Sequence, residues 1–470
     1  MERLGYVSFT LRPGEALANV PAHLDYLSGA ARAASRLDGG PIDGALRHRG
    51  DGFRAVTVFH ARRSLGVPAE HHVGYDDVEE HLGMSRSYRA RLGDERATTR
   101  VVDRLRSLPV VESATVQSLA TVPFAAGVAG AGAPALDRPP PDVATAAAAE
   151  AGPDAARAPH EMVRAPQALA LEPGDERVTV ACVDSGVSLG HAELQRKLLA
   201  GYDTVDLGVG PAGRRMRLLG DSRGRDFSPL DDVGHGSAVA GIMGAQGWQL
   251  PRGAAGLSLI LPIRVLAAAR APKARLPVGV GALPDIDAGL KVAVDLGAMA
   301  ANLSFGTPGE SLPEGAPLPH GQVAQYATHY DCVLVAAAGN TGRREKLYPA
   351  ALPEVIAVGS VDLRGRRSSF STWGDHVDIA APGERIVSAH RRGYRASSGT
   401  SFAAPFVTAA AALAIARGRR AGRRLRPPEV REALLGSARA LGGAPNDETG
   451  RGLLDAAGAV RHVDAARAAA

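Results

Sequence analysis

A Gly-Thr-Ser turn that runs directly into a long apolar segment is the feature that most constrains this chain. Gly399-Thr400-Ser401 precedes the apolar run 402–416, which contains almost no turn-forming residues. The pattern predicts a loop that ends at a helix N-terminus, with Ser401 in the first turn. Free backbone N–H groups and the positive end of the helix dipole would face the serine oxygen there. They would stabilise negative charge on a substrate carbonyl. The alternative is a serine that only caps the helix.

Three other segments supply the partners that a nucleophilic serine needs. A β-branched run ends at Asp184, which predicts a buried parallel strand that delivers a carboxylate at its C-terminal end. His235 lies between glycines at the start of a second apolar helix, and another apolar strand ends at Asn340. A serine hydrolase requires a nucleophile, an imidazole that takes its proton and a carboxylate that orients the imidazole. These groups occur here in the order Asp184, His235, Ser401, with the Asn340 amide suited to an oxyanion.

Together these four segments resemble the subtilisin-like serine proteases, the subtilases of peptidase family S8. The resemblance covers roughly residues 160–460, and its motifs follow the order of the family. It implies a three-layer α/β fold with a mostly parallel sheet. It also implies serine endopeptidase activity through an acyl-enzyme intermediate, with Asp184, His235 and Ser401 as the triad and Asn340 as oxyanion donor. Ser237 stands where the family usually has Thr, a change that we expect to leave activity intact. The matching motifs are Asp184-Ser185-Gly186, His235-Gly236-Ser237, Gly339-Asn340 and the segment 399–405.

The same resemblance assigns two segments to substrate binding. The segment 303–306 is expected to pair as an edge strand with extended substrate backbone, and 336–339 to form the facing wall. The residues of both segments are small or apolar. We therefore predict that the enzyme prefers substrates with an uncharged, apolar side chain at P1, the residue before the scissile bond. The alternative is that the inserted loops, with Arg214, Arg215 and Arg217, select acidic or extended substrates. The predicted substrate-binding residues are Ser304, Phe305, Gly306, Ala337, Ala338 and Gly339.

Three regions are predicted along the 470 residues. Residues 1–125 read as a small α+β domain, with a helix predicted over Tyr75–Leu92. Residues 126–159 are rich in Ala, Gly and Pro and read as a linker. Residues 160–465 alternate strands with helices, which predicts a parallel sheet covered on both faces. The resemblance implies that they form the subtilisin-like catalytic domain, which we call the catalytic region.

The N-terminal domain resembles the pro-domains that precede many subtilases. We therefore expect residues 1–125 to act as an intramolecular inhibitor or folding aid, because parallel sheets pair distant segments and fold slowly. The tail Gln117–Phe124 is expected to lie in the cleft as a product-like strand, and the linker to be cut by the enzyme itself. The alternative is a permanently attached accessory domain that recruits substrate.

Charge and hydropathy argue against two other classes of partner. The net charge is only +5, and six arginines fall within 417–426 without aromatic residues to stack on bases. This run predicts a solvated loop, and we expect no nucleic-acid partner. We expect that no apolar run approaches the length of a membrane span, and the N-terminus lacks the pattern of a signal peptide. We expect a cytoplasmic protein, with export by another route left open, and Cys182 and Cys332 as buried thiols.

The sequence also gives expectations about cofactors and about other reactions. Many subtilases bind calcium through the loop after the histidine helix, but Gln246–Gly253 offers few oxygen ligands. We predict that this site is missing and that no cofactor is needed, with other structural calcium sites left open. A pseudoenzyme that binds peptides without cutting them is one alternative. An esterase is another, but the Gly-x-Ser-x-Gly elbow is absent around Ser401 and the Asp-His-Ser order differs from that fold.

Overall fold

The N-terminal part of the protein contains a four-stranded antiparallel sheet. The strand order is β2-β3-β1-β4, and two helices close to the sheet complete a separate hydrophobic cluster. In this region the elements are β1 (Tyr6–Leu11), α1 (His23–Leu27), α2 (Pro41–Leu46), β2 (Phe53–Thr57), α3 (Asp77–His81), β3 (Ser87–Leu92), α4 (Thr98–Arg106), β4 (Val111–Val116) and β5 (Leu119–Thr121). The computed structural model describes residues 5–47, 51–62, 74–117, 119–122, 154–208, 211–212, 216–223, 227–270, 277–312, 316–443 and 445–468.

The helix predicted over Tyr75–Leu92 is wrong in its second half. Only Asp77–His81 is α-helical, and Ser87–Leu92 forms strand β3 between β2 and β1. Tyr88, Ala90 and Leu92 pack in the domain core, as a strand with alternating side chains requires. The alternation is hidden in the sequence because Arg89, on the opposite face, is itself buried and forms an ion pair with Asp285.

Seven parallel strands form the central sheet of the following region, in the order β18-β17-β15-β13-β6-β10-β7. This sheet confirms the predicted α/β class with a mostly parallel sheet. The elements are α5 (Ala165–Leu171), β6 (Thr179–Asp184), β7 (Tyr202–Asp203), β8 (Pro211–Ala212), β9 (Met216–Leu219), α6 (His235–Gly244), β10 (Leu259–Arg264), β11 (Ala267–Arg270), β12 (Val278–Ala282), α7 (Leu283–Asp295), β13 (Ala298–Leu303), β14 (Thr307–Pro308), α8 (Gly321–His329), β15 (Val333–Ala337), β16 (Leu347–Tyr348), β17 (Val355–Val361), β18 (Ile379–Pro382), β19 (Ile386–His390), β20 (Gly393–Ser397), α9 (Thr400–Arg420), α10 (Pro427–Gly436) and α11 (Ala456–Ala468).

Helices cover both faces of this sheet, which gives the three layers. In β6, Val180 and Cys182 point to the cluster that contains α6 and α9, whereas Ala181 and Val183 point to the cluster that contains α7 and α8. A strand that is buried on both faces has a continuous apolar sequence, and β6 has such a sequence.

Helix α9 is the central helix of the layer that carries Ser401. It has 21 residues and is apolar enough to cross a membrane by length and composition, so the expectation that no segment approaches that length is wrong. However, 94% of its apolar window is buried inside the protein. Its apolar side chains therefore pack in the core of the catalytic region.

The N-terminal sheet docks on helices α7 and α8 through apolar and charged contacts. Phe59 and Met84 belong to the same hydrophobic cluster as Leu290. The predicted division at 125 and 159 stays a prediction, because residues 123–153 lie outside the described residues. The described residues 154–162 are helical.

Candidate active site

Asp184 and His235 are brought together where β6 ends and α6 begins. The Nδ1 atom of His235 lies 2.8 Å from Oδ1 and 3.0 Å from Oδ2 of Asp184, and both side chains are fully buried. The backbone N–H of Ser185 donates to the same carboxylate at 2.7 Å. Because the carboxylate is an acceptor, Nδ1 carries the proton and Nε2 is the nitrogen left to act as a base.

Ser401 is the second residue of α9 and is buried. Its carbonyl accepts a hydrogen bond from the Ser304 hydroxyl at 3.0 Å, and its Oγ lies 3.5 Å from the Ser304 carbonyl oxygen. The ring of the next residue, Phe402, lies 5.3 Å from the His235 ring, measured between centroids. The predicted nucleophile therefore lies at a helix N-terminus, and the residue that follows it packs against the ring of the predicted base.

Asn340 lies at the same helix N-terminus, with its amide oriented by Thr400. Its Oδ1 accepts hydrogen bonds from the backbone N–H and the hydroxyl of Thr400, both at 2.9 Å. Its Nδ2 is buried and has no hydrogen-bond partner among the described residues. A Cβ atom on Gly399 would lie 3.1 Å from this Nδ2, so glycine keeps the space beside it open. A fixed, unused donor of this kind is what an oxyanion site requires.

Asp231 is a buried residue of the site that the sequence analysis did not identify. Burial raises the pKa of its carboxyl group, and the hydrogen bonds that it accepts oppose this effect. The Ser237 hydroxyl donates to it at 2.6 Å, so the serine that replaces the usual threonine is used as a hydrogen-bond donor. These bonds fix the turn that leads into His235. The other donors are the Ser185 hydroxyl and the backbone N–H groups of Val233, Gly234 and Ser237.

The predicted substrate-binding residues lie at the C-terminal ends of neighbouring strands. Ser304, Phe305 and Gly306 follow β13, and the segment 337–339 ends β15 and leads to Asn340. Because β13 lies between β6 and β15 in a parallel sheet, all three strands end at the edge that holds Asp184.

Strand β5 of the N-terminal region lies beside these residues. It occupies a space, here called the groove, that has Gly306 on one side and β12 on the other. Thr121 and Gly306 exchange two backbone hydrogen bonds, of 3.0 and 3.3 Å. On its other side β5 pairs antiparallel with β12, and the Val122 N–H donates to the Gly279 carbonyl of that strand at 3.1 Å. The described part of the predicted tail, Leu119–Val122, therefore lies extended between Gly306 and β12.

The loop after α6 is held by the carboxylate of one residue, Glu193. The carboxylate of Glu193 accepts hydrogen bonds from four successive backbone N–H groups of this loop, at residues 247–250 and distances of 2.6–3.2 Å. Elsewhere in the part of the chain that the structure describes, no group of three or more His, Cys, Asp or Glu side chains has the arrangement of a metal site.

Comparison with known proteins places this geometry in a family. The model of the Subtilase family, peptidase S8, matches residues 175–458. The chain belongs to the subtilase family. The matched span contains Asp184, His235, Asn340 and Ser401, whereas the N-terminal sheet lies outside it.

Individual relatives of this subtilase cover its catalytic region. Thermitase from Thermoactinomyces vulgaris is 35% identical over 265 residues, which are 56% of this chain and 82% of thermitase. A thermophilic serine proteinase from Bacillus sp. strain AK1 is 36% identical over 248 residues, 52% of this chain and 54% of that protein. The chain thus spans only about half of the second relative. A solved protease structure from Pseudoalteromonas arctica has 25% identity and a TM-score of 0.54, and the match covers 64% of this chain and 94% of that one.

Proposed function

We propose that this subtilase is a serine endopeptidase that hydrolyses peptide bonds in proteins. The observation that carries the proposal is the hydrogen bond between His235 Nδ1 and Asp184 beside a buried serine at the N-terminus of α9. The four motif residues come from separate elements, and only the tertiary fold joins them. A serine that merely caps a helix has no need of a buried imidazole–carboxylate pair next to it.

The reaction follows from the roles of these groups. His235 Nε2 takes the proton of Ser401 while Oγ bonds to the substrate carbonyl carbon, and Asp184 holds the imidazolium that forms. The oxyanion accepts hydrogen bonds from Asn340 Nδ2 and the Ser401 N–H. His235 then gives the proton to the leaving amine as the C–N bond breaks, which leaves an acyl-enzyme. Water attacks the acyl-enzyme with His235 again as base and releases the product.

An uncharged P1 side chain is the preference that we propose. The described walls, at 304–306 and 337–339, contain no charged side chain. Arg217 of the inserted loops lies on β9, which is separated from β5 by the two strands β11 and β12. At the usual strand spacing this is about 14 Å from the strand in the groove. Arg214 and Arg215 lie outside the described residues.

The N-terminal domain is proposed to inhibit the catalytic centre of its own chain. Support comes from β5, which fills the groove with the backbone pairing expected of a bound peptide. The pairing is antiparallel, so an extended chain that continued past Val122 in this register would move from Gly306 towards Ser304 and Ser401. A domain that only recruited substrate would have no reason to occupy the groove itself.

Self-processing of the full chain tests both parts of the proposal. We expect wild-type protein to yield fragments split between about residues 118 and 160, and to react at Ser401 with a fluorophosphonate probe. Ser401→Ala should remain whole and unlabelled, while Ser369→Ala, which changes an exposed serine, should behave as wild type. Absence of labelling after mild external proteolysis would favour a binding module. A chain starting near His160 that folds and cleaves as well as the full chain would refute the inhibitor role.

The arginine-rich segment 417–426 gives no support to a nucleic-acid partner. Its side chains form ion pairs with acidic residues of the same protein, which lowers the charge available to phosphates. The pairs are Arg417–Asp464, Arg419–Asp175, Arg420–Glu172, Arg423–Glu429 and Arg424–Asp331.

A further inference from the structure

The two walls of the groove next to Ser401 share one neighbouring side chain, that of Leu347. A Cβ atom on Gly306 would lie 3.2 Å from Leu347 Cδ2, and a Cβ atom on Gly339 would lie 2.9 and 3.0 Å from the two Cδ atoms. One isobutyl group therefore touches both wall glycines. The Thr372 hydroxyl also lies beside Gly339, 2.8 Å from the same Cβ position, but Leu347 is the side chain near both glycines. Because neither wall glycine has a side chain of its own, Leu347 limits the space between them.

Leu347 is held in this place by backbone pairing. It belongs to β16, which pairs antiparallel with β14, and Pro308 lies opposite it. Its carbonyl oxygen accepts a hydrogen bond from the Ala351 N–H at 2.8 Å. The side chain is only 4% exposed, yet it belongs to neither of the two large hydrophobic clusters that fill the catalytic region. It is therefore buried beside the two wall glycines, outside these two clusters.

We propose that Leu347 forms the floor of the P1 pocket and restricts this subtilase to small P1 residues such as Ala, Gly and Ser. The inference rests on the proposed endopeptidase function and specifies its substrate. A larger P1 side chain, such as that of Phe or Leu, would need the volume that the Leu347 side chain occupies. In a close-packed site that displacement costs energy, since added methylene groups force strained rotamers or backbone shifts.

The sequence of this chain offers a substrate that fits such a pocket. Ala and Gly make up 18 of the 34 residues in 126–159, which contain no aromatic residue and a single leucine, Leu136. This segment begins at residue 126, four positions after Val122, the last described residue of the segment in the groove. A pocket restricted to small residues therefore matches the segment in which self-processing is proposed.

A peptide panel tests this proposal. The enzyme is the protein that is expressed as the full chain and then allowed to process itself. The peptides differ only at P1, which is Ala, Ser, Leu or Phe, and kcat/KM is measured for each. Wild type should favour Ala over Phe at least about tenfold, since one methylene in an apolar pocket changes kcat/KM by roughly 10–200-fold. Leu347→Gly should cleave after Phe and Leu at least about tenfold better than wild type. Leu352→Ala truncates a leucine that is equally buried in the same segment, and it should keep the wild-type ranking.

The outcomes separate this inference from the proposed function. Equal cleavage after Ala and Phe by wild type, or an unchanged ranking in Leu347→Gly, would overturn the role of Leu347 while leaving the peptidase intact. If Leu347→Gly fails to fold, the wild-type panel and the new N-terminus decide the matter. A self-processing cut after Phe124 or Leu136 would contradict the proposal, and a cut after Ala or Gly would support it. No cleavage of any peptide, with no labelling of Ser401, would refute the peptidase function itself.

Discussion

Lys291 of α7 and Glu79 of the N-terminal domain form an ion pair with an Nζ–Oε1 distance of 2.5 Å, and neither side chain is exposed. Lys291 also contacts Asp295 at 2.7 Å, and Asp295 in turn accepts a hydrogen bond from the Tyr326 hydroxyl. His60 of the N-terminal domain contacts the same carboxylate at 2.8 Å. Buried charges are tolerated only when their partners are present. Each part of the protein therefore completes the charge pairing of the other.

Replacing Lys291 should weaken the docking of the N-terminal domain. In Lys291→Met the Glu79 carboxylate stays buried without its cation, which typically costs about 3–5 kcal/mol. We expect Ser401→Ala protein with this change to show faster hydrogen exchange at the β5 amides. The control is Lys346→Met, which removes a half-exposed lysine paired with the exposed Asp375. Equal protection of β5 in both variants would argue against a role of the buried pair in docking.

Docking should also weaken in mild acid because of His60. Burial lowers the pKa of its imidazole, the ammonium of Lys291 lowers it further, and Asp295 and the more distant Asp25 oppose this. Since the undocked imidazole titrates near about 6.5, docking is fully stabilised above that pH and loses stability as the pH falls below it. Protection factors of the β5 amides in Ser401→Ala should therefore drop between pH 7.5 and 5.5.

The dependence on His60 is checked with two histidine variants. His60→Gln should show a smaller drop over this pH range, because it cannot take up the proton that opposes docking. His81→Gln, which changes an exposed histidine of the same domain, should show the wild-type drop. An identical pH response in His60→Gln and wild type would assign the effect to other groups.

Glu193 should stabilise the loop after α6 in the absence of calcium. Its carboxylate accepts four backbone N–H groups, and hydrogen bonds to a charged acceptor contribute roughly 1.5–3 kcal/mol each. We expect Glu193→Gln to lower the free energy of unfolding by at least the contribution of one such bond. The measurement is denaturant unfolding of Ser401→Ala protein. Glu176→Gln, at an exposed position nearby, should have little effect. A chelator should leave the wild-type midpoint unchanged, and a large loss would reveal a structural calcium ion.

Removing the Asn340 amide should lower turnover without changing substrate affinity. Its Nδ2 is proposed to donate to the oxyanion, which exists only in the transition state and intermediate. For Asn340→Ala we expect kcat to fall by about 10²–10³ with KM nearly unchanged, the magnitude for which subtilisin, a relative, is the reference case. A variant with unaltered kcat would exclude this role, and a rise in KM alone would indicate a contact with bound substrate.

The motifs around Asp184, His235, Asn340 and Ser401 were predictable because each is a local signal. A strand that ends on a carboxylate and a glycine turn that opens an apolar helix are visible within about ten residues of sequence. The central strands were predictable for the same reason, since burial on both faces leaves a continuous apolar run. Strand β3 was not, because Arg89 on its outer face is buried by a domain that follows much later in the chain.

By itself the sequence determined the family, the fold class and the order of the four motifs that carry the candidate catalytic groups. The tertiary structure alone decided that Leu347 lies between Gly306 and Gly339, that β5 fills the groove and that Glu79 meets Lys291. The physical reason is distance along the chain. Local propensities are encoded within a few residues, whereas the size of a pocket and the pairing of buried charges depend on side chains that only the folded chain brings into contact.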